Sequence, residues 1–552
     1  MKLTGAQIII KRLLAHGVDT VFGYPGGAVL TLYDELYKNA KKIRHILTAH
    51  EQGAAHAADG YARVSGKTGV VIATSGPGAT NLVTGIANAY LDSVPMVAIT
   101  GNVSVPLLGK DSFQEVDIVG ITQAVVKHNF LVRDVKNLEH TLNEAFRIAG
   151  SGRPGPVLID VPKNIQSETC LYTGGDPTPR KVASAGESEP LDLSPVISAI
   201  KNSKRPYIYA GGGVISGDAC GELRALSERL SAPVGLSMMG LTALPADYAL
   251  NLGMTGMHGR YASTVVKSES DLLIALGARF SDRATGNVDE YGEGKTIIHV
   301  DIDGAEIGKN VPPHIKICGD VKNFLVELLR QLPEMRSEEW LSRIAELKRS
   351  EESHHRAAFN PLGIIETVRG YCGGETVIAT DVGQHQMWVA QYYQFQKPRT
   401  LLTSGGLGAM GFGLGAAIGG CIAAGGKRTV LFTGDGSFGM NLTELATAVS
   451  EKLPVLIVIL NNGVLGLPRQ WQTVFYGGRY SHSTLDRKTD FAALAKAFGA
   501  EGHTAGSFGE LEGVLKNLPA QAPVVVDCRI GMDEKVLPMI PPGGSVKDMI
   551  LK

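Results

Sequence analysis

Two apolar runs, Thr429-Val-Leu-Phe-Thr433 and Val455-Leu-Ile-Val-Ile-Leu460, flank a helix-compatible stretch, Asn441-Leu-Thr-Glu-Leu-Ala-Thr-Ala-Val-Ser450. Strand, helix and strand over about 30 residues make a βαβ unit, whose crossover is right-handed in nearly every case. Such a unit commits the surrounding chain to a parallel sheet. Asn441 with Glu444 three residues on reads as the helix start. Gly434-Asp435-Gly436-Ser437 comes after the first run and Asn461-Asn462 after the second. Both polar groups are therefore predicted at carboxyl ends of parallel strands, where open α/β sheets bind ligands.

The chemistry of these ends suits a hard cation. Asp435 offers a carboxylate, Asn462 an amide oxygen, and the loop Gly463-Val464-Leu465-Gly466 a backbone carbonyl, assigned to Val464. Three protein oxygens leave about three of the six octahedral positions of Mg²⁺ for phosphate oxygens and water. Gly434 and Gly436 let backbone approach that phosphate. A tight turn and then an Asn-Gly turn is the plainer alternative.

The 552 residues suggest about three domains. Strand-like and helix-like runs alternate in three blocks, predicted as an α/β fold of three domains with parallel sheets flanked by helices: 1–166, 190–335 and 360–552. A polar connector, Thr173 to Pro190, separates the first two, and a charged segment, Pro333 to His355, leads to the third. The first and third blocks could share a topology, which the sequence alone does not prove. The net charge of -1 gives no electrostatic case for nucleic acid or an acidic membrane. Six scattered cysteines without a CxxC pair read as reduced thiols. Residues 1–14 read as an amphipathic helix and not a signal peptide, so a cytoplasmic location is expected. Thr400 to Gly426 carries no charge and is long enough to span a bilayer. Its Gly and Ala content points instead to buried, closely packed backbone.

Further along, Thr48-Ala-His-Glu-Gln-Gly-Ala-Ala-His-Ala-Ala-Asp-Gly-Tyr-Ala-Arg63 is predicted to leave a strand and enter a small-residue helix, with Glu51 in its first turn. By itself, a carboxylate there complements the helix dipole. Thr74-Ser-Gly-Pro-Gly-Ala-Thr-Asn81 comes after a strand but is neither a dinucleotide fingerprint nor a Walker A loop, so no phosphate is assigned to it.

GDGS with the later Asn pair resembles the thiamin diphosphate motif. The whole chain is similar to the acetohydroxyacid synthase (acetolactate synthase) catalytic subunits of the thiamin-diphosphate decarboxylase superfamily. The resemblance implies thiamin diphosphate, Mg²⁺ and FAD as cofactors. It implies that Glu51 pairs with a ring nitrogen of the aminopyrimidine. Gly27, Gln114 and Lys163 are carried over near the reacting centre, and Met410 as the residue that wedges beneath the coenzyme. Val382, Gly383, Gln384 and His385 match the diphosphate-binding segment, with Gly408, Gly436 and Ser437. Flavin contacts are carried onto Arg153, Gly211, Gly212, Gly213, Gly256, Met257, His258, Gly277, Arg279, Asp282, Asp301 and Asp320. Phe113, Arg283 and Trp471 are carried over as substrate residues, Arg283 as a carboxylate clamp and Trp471 as the contact favouring 2-oxobutyrate over pyruvate as acceptor.

The implied reaction decarboxylates pyruvate and joins the two-carbon fragment to a second pyruvate or to 2-oxobutyrate, giving 2-acetolactate or 2-aceto-2-hydroxybutyrate for branched-chain amino acid synthesis. A homodimer or homotetramer is implied, with Glu51 of one subunit meeting the metal motif of another, and the biosynthetic type implies a small regulatory subunit. The rival readings are a flavin-using pyruvate oxidase or another thiamin-diphosphate 2-oxoacid decarboxylase, and a nucleotide-binding regulatory protein that kept the fold without the chemistry. Three departures stand out: Ser281 where the family often has Asp, Asn164 in Pro162-Lys-Asn-Ile-Gln, and Pro468, expected at the first position of a helix.

Overall fold

The computed structural model describes residues 1–175, 192–351 and 358–551. Most of the Thr173–Pro190 connector, and the end of the charged segment near His355, lie outside the described residues. Three six-stranded sheets, parallel throughout, form the framework. In the first sheet the strands lie side by side in the order Arg44–Leu47, Thr20–Tyr24, Gly69–Ala73, Met96–Asn102, Pro156–Pro162 and His128–Leu131. The third sheet runs Leu401–Leu402, Val377–Thr380, Thr429–Thr433, Val455–Asn461, Val524–Arg529 and Glu501–Ala505. Both have the order 2-1-3-4-6-5 when their strands are numbered along the chain, so the shared topology that the sequence left open is present. The middle sheet differs: Asn251–Met254, Val234–Leu236, Pro206–Ala210, Leu272–Leu276, Thr296–Asp301 and Ile315–Cys318, or 3-2-1-4-5-6.

Strand order locates the crevices. Where neighbouring strands send their crossovers to opposite faces, the loops part and leave a cleft at the carboxyl edge. In the third sheet that point lies between Val377–Thr380 and Thr429–Thr433. In the middle sheet it lies between Pro206–Ala210 and Leu272–Leu276. The strands at these points are buried along their whole length, which explains their continuous apolar runs.

The first and third sheets meet through two helices, Glu51–Ser65 and Phe412–Ala423, in the most extensive helix–helix contact among the described residues. A Cβ on Gly60 would collide with the Ala416 carbonyl oxygen, and one on Gly419 with that of Ala57. The uncharged stretch from Thr400 is thus a short strand, a loop and this buried helix. No helix among the described residues is long and apolar enough to cross a membrane.

Four local expectations are corrected. The predicted first helix is preceded by a strand, Lys2–Thr4, paired antiparallel with Thr169–Leu171. Thr4 then caps Gly5–Ala15 through a reciprocal bond with Gln7, a device worth about 1 kcal/mol. A short helix, Asp435–Asn441, precedes the predicted stretch, which itself forms a helical turn, Leu442–Glu444, and the helix Leu445–Ser450. Asn441 stands at the start of that turn but makes no side-chain cap, donating its side-chain N–H to the Gly411 carbonyl instead (2.9 Å). Glu444 makes no capping box either, because its carboxylate is taken by backbone N–H groups of Ala49 and His50 in the first domain (3.2 and 2.9 Å). Finally, the charged segment after Pro333 folds into a helix, Glu338–Glu351, whose Trp340 indole donates to the Pro206 carbonyl of the middle sheet (3.1 Å).

Candidate active site

The third sheet gathers three of its strand ends. Thr433 lies opposite Ile459 in register, and Thr380 opposite Phe432. Asp381–His385, Gly434–Ser437 and Asn461–Val464 therefore emerge side by side. Asp381 is buried and holds the turn rigid, accepting from the Val382 and Gly411 N–H groups (3.2 and 2.6 Å) and from the Thr433 hydroxyl (3.2 Å). The Ser437 hydroxyl donates to the Val382 carbonyl (2.7 Å). Gln384 accepts from the Asn462 amide (3.1 Å) and donates to the Glu534 carbonyl (2.7 Å) and to Gln470 (3.2 Å). That link orients Asn462 with its amide nitrogen on Gln384, while its oxygen accepts from the Val464 N–H at 3.3 Å.

Two buried polar groups stand out here. Asp435 makes no ion pair among the described residues; its carboxylate meets the backbone N–H groups of its own turn, and burial, with Asp527 adding to it and Arg487 opposing it, pushes the carboxyl up to about 6. The His385 ring is buried with Nε2 unpartnered, and burial pushes it down to about 3. Gly383 and Gly434 lie against that ring, where a Cβ would come within 2.8 and 3.1 Å of it. A buried polar atom without a partner costs about 1–3 kcal/mol, so the pocket suits an anion bound to a cation. Met410 lies nearby: a Cβ on Gly436 would be 3.8 Å from its methyl. Gly408 has a left-handed backbone (φ 69°) in an exposed loop.

Glu51 starts the helix that leaves the strand Arg44–Leu47. His50 caps that helix, its ring accepting from the Gln52 N–H (3.1 Å). The Glu51 carboxylate is buried and accepts from the Asn81 side chain (2.9 Å). The loop Thr74–Asn81, given no role by its glycine pattern, is the hub of this region. A Cβ on Gly78 would lie 3.1 Å from the Glu51 carboxylate, one on Gly76 within 2.9 Å of Gln114, and one on Gly26 within 2.5 Å of Thr74. Gly27 has open space beside it, Lys163 is exposed at the start of a short helix, and Phe113 is 87% exposed. Asn81 and His50 escaped the sequence reading, because a cap and a bond across loops carry no distinctive spacing.

The middle sheet's crevice opens into a cleft of about 1180 Å³. Arg153, Gly211, Gly212, Gly213, Met257, His258, Gly277, Arg279, Asp282, Arg283, Asp301 and Trp471 line it, with Val382 and Gly408 of the third domain. Arg153 is held by Glu306 (2.8 Å) and the Ser93 hydroxyl (2.8 Å). The Arg283 guanidinium lies 5.7 Å from the Trp471 ring centre. Two carried-over residues lie elsewhere. Asp320 caps the helix Val321–Gln331 by accepting from the Asn323 N–H (2.9 Å) and does not line the cleft. Gly256 lines a smaller, separate cavity. Gly211 and Gly213 are glycines because they pack on Gly277, not because the turn is open.

Each of the three departures has a definite place. Ser281 lines the cleft and begins the helix Asp282–Thr285. Asn164 accepts from the Val105 N–H (2.9 Å) and donates to Glu168 (2.7 Å). Pro468 is the third residue of the helix Gly466–Phe475, not its first. It is still in the first turn, where an N–H has no helical partner to lose.

Neither Glu51 nor Asp435 lines the large cleft. Paired sheets of one topology, one presenting the buried Glu51 carboxylate and the other the buried Asp435 carboxylate at adjoining strand ends, define the class. Residues 3–121, 193–328 and 381–528 match the N-terminal, central and C-terminal domains of the thiamine pyrophosphate enzymes. The chain is 43% identical to the acetolactate synthase large subunit of Buchnera aphidicola, covering 100% of this chain and 99% of that protein. It is 43% identical to the large subunit of acetolactate synthase isozyme 1 of Escherichia coli over 100% and 98%, and 44% identical to the acetolactate synthase of Mycobacterium bovis over 99% and 91%. The chain belongs to the acetolactate synthase large-subunit family of thiamin-diphosphate-dependent enzymes.

Proposed function

We propose that the chain joins two 2-oxoacids with loss of CO₂, forming 2-acetolactate from two pyruvates or 2-aceto-2-hydroxybutyrate from pyruvate and 2-oxobutyrate. Thiamin diphosphate, when bound, supplies a nucleophilic carbon that accepts the donor acid and stabilises the carbanion left by CO₂. Asp435, Asn462 and the Val464 carbonyl would hold Mg²⁺, with Gln384 fixing the Asn462 amide. Val382, Gly383, His385, Gly408, Gly436 and Ser437 would seat the diphosphate, His385 Nε2 gaining the partner it lacks. Glu51, held by Asn81, would exchange a hydrogen bond with the aminopyrimidine, and Met410 would support the ring from below. Gln114, Lys163, Gly27 and Phe113 would close the donor site.

FAD fits the middle cleft. A strand order of 3-2-1-4-5-6 with a glycine turn at its switch point is the frame that receives dinucleotides. Arg153, Arg279, Met257, His258, Asp282 and Asp301 would contact it. Arg283 and Trp471, side by side at the cleft's edge, would receive the second acid. The guanidinium binds its carboxylate and the indole covers its alkyl end. One added CH₂ against that ring is worth about 0.8 kcal/mol, roughly a fourfold preference for 2-oxobutyrate.

The observation carrying this reading is the convergence of a buried Asp435 without an ion pair among the described residues, the Gln384–Asn462 link and the unpartnered His385 ring at adjoining strand ends. The test supplies purified protein with Mg²⁺, thiamin diphosphate and pyruvate. Acidification should yield acetoin from acetolactate, and the protein should carry flavin absorbance. Hydrogen peroxide without acetoin would replace this reading by the oxidase, and untouched pyruvate would end it.

A further inference from the structure

A second cavity, of about 210 Å³, lies between the middle domain and the C-terminal tail. Its floor is the helix Tyr261–Glu269 and the segment around Tyr291; the tail from Ile540 to Lys547 forms the facing wall. The tail is fastened at two points: the Ile540 N–H donates to the Met257 carbonyl (2.8 Å), and the Asn287 N–H donates to the Gly544 carbonyl (3.1 Å).

Inside it stands Lys267, only 9% exposed. Among the described residues no carboxylate or hydrogen-bond acceptor meets its ammonium; the nitrogen sits 3.9 Å from the centre of the Tyr291 ring. The Tyr291 and Thr264 hydroxyls, on residues lining the same cavity, are buried and also unpartnered. Burial, with Lys295 nearby, pushes Lys267 down to about 7. The other charges are largely occupied: Lys295 donates to the Ser268 and Glu293 carbonyls (3.0 and 3.3 Å), and Lys547 lies 3.9 Å from Glu290. An unpaired buried lysine is costly, yet this one faces a space large enough for several heavy atoms.

We propose that this cavity binds a small organic monocarboxylate, its carboxylate paired with Lys267 and its alkyl end against Met257, Ile540 and Val546. One unmatched cation selects a single negative charge. Glu290 and Glu293 at the rim disfavour phosphate and other multiply charged anions. The apolar wall favours a short aliphatic tail over a bare inorganic ion. Met257 and Ala284 are common to this cavity and the flavin cleft, but the site is separate from that cleft and stands whether or not it holds flavin.

The probe is butyrate, titrated calorimetrically into the full-length protein. A saturable binding step is expected that is weakened at least tenfold by Lys267→Met, which keeps the side-chain length and removes the charge. Trp471→Ala, in the main cleft, should leave it unchanged. A second measurement needs no variant: reductive methylation of the wild-type protein, mapped by mass spectrometry. Butyrate should slow labelling of Lys267 and not of exposed Lys136. Equal binding by Lys267→Met, loss of binding with Trp471→Ala, unprotected Lys267, or Lys267-dependent binding of phosphate in preference to butyrate would each overturn the proposal.

Discussion

Glu51 shows how one carboxylate can be both buried and available. Its burial comes from the loop Thr74–Asn81, and the Asn81 amide is its side-chain partner. Replacing Glu51 by Gln preserves shape and removes the negative charge. The expected result is a kcat about 10²–10⁴-fold lower, the range for loss of an acid–base group, with thermal stability close to that of the wild type. An unchanged kcat would remove Glu51 from the mechanism. His56, on the same helix, is wholly buried beside Arg63, and desolvation pushes it down to about 3. The folded state therefore binds fewer protons than the unfolded one between pH 6.5 and about 3. Stability contributed by the neutral ring is present above pH 6.5 and lost as pH falls through that window, by about 1.4 kcal/mol per unit. His56→Leu should give a Tm that declines less steeply between about pH 6.5 and 5 than the wild type's.

At the scale of elements, the contact between Glu51–Ser65 and Phe412–Ala423 decides how the first and third sheets sit. Glycines let the two helix backbones approach, and Glu444 adds bonds to the Ala49 and His50 N–H groups at the start of the Glu51 helix. Gly419→Val would push its side chain into the Ala57 carbonyl and Tyr61 backbone. Overpacking of this kind costs about 1–3 kcal/mol or more. The expected outcome is a lower Tm together with reduced activity, since the helix carrying Glu51 must move. A Tm equal to the wild type's would mean that the helices can separate freely.

For the whole molecule, the same-fold halves leave Glu51 and Asp435 outside the large cleft, while Tyr24, Leu30, Leu47 and Phe113 are exposed on the first domain. Exposed aromatic and aliphatic groups on this domain suit a second chain. In a two-fold dimer with shared sites, Glu51→Gln and Asp435→Ala subunits fail separately. Mixed and re-associated, they should recover about a quarter of wild-type activity through statistically formed heterodimers carrying one intact site. No recovery, with heterodimers verified by mass, would place each complete site within one chain.

The strand ends of the third sheet were legible in the sequence because a fully buried parallel strand is a continuous apolar run, and the residues after it must form a loop at the carboxyl edge. Asp435 and Asn462 could thus be placed at strand ends from local pattern, whereas Val382, Gly383, Gln384 and His385 came only from the family resemblance. The absence of a capping box at Asn441 and Glu444 could not be read, because the pair has the same spelling whether it caps a helix or its members bond elsewhere, Asn441 to Gly411 and Glu444 to the first domain. Asn81, His50 and Glu444 were invisible for a related reason: their bonds carry no signature in local spacing, and those of Asn81 and Glu444 reach residues distant in the chain. The sequence by itself determined the alternation, the parallel sheets and the position of Asp435 and Asn462 at strand ends, since these depend on neighbours a few positions away. Only the tertiary structure decided that a plain glycine loop carries the partner of Glu51, and that a buried lysine without a carboxylate partner among the described residues lines a cavity beneath the C-terminal tail. Both come from close packing between segments whose proximity no local spacing encodes.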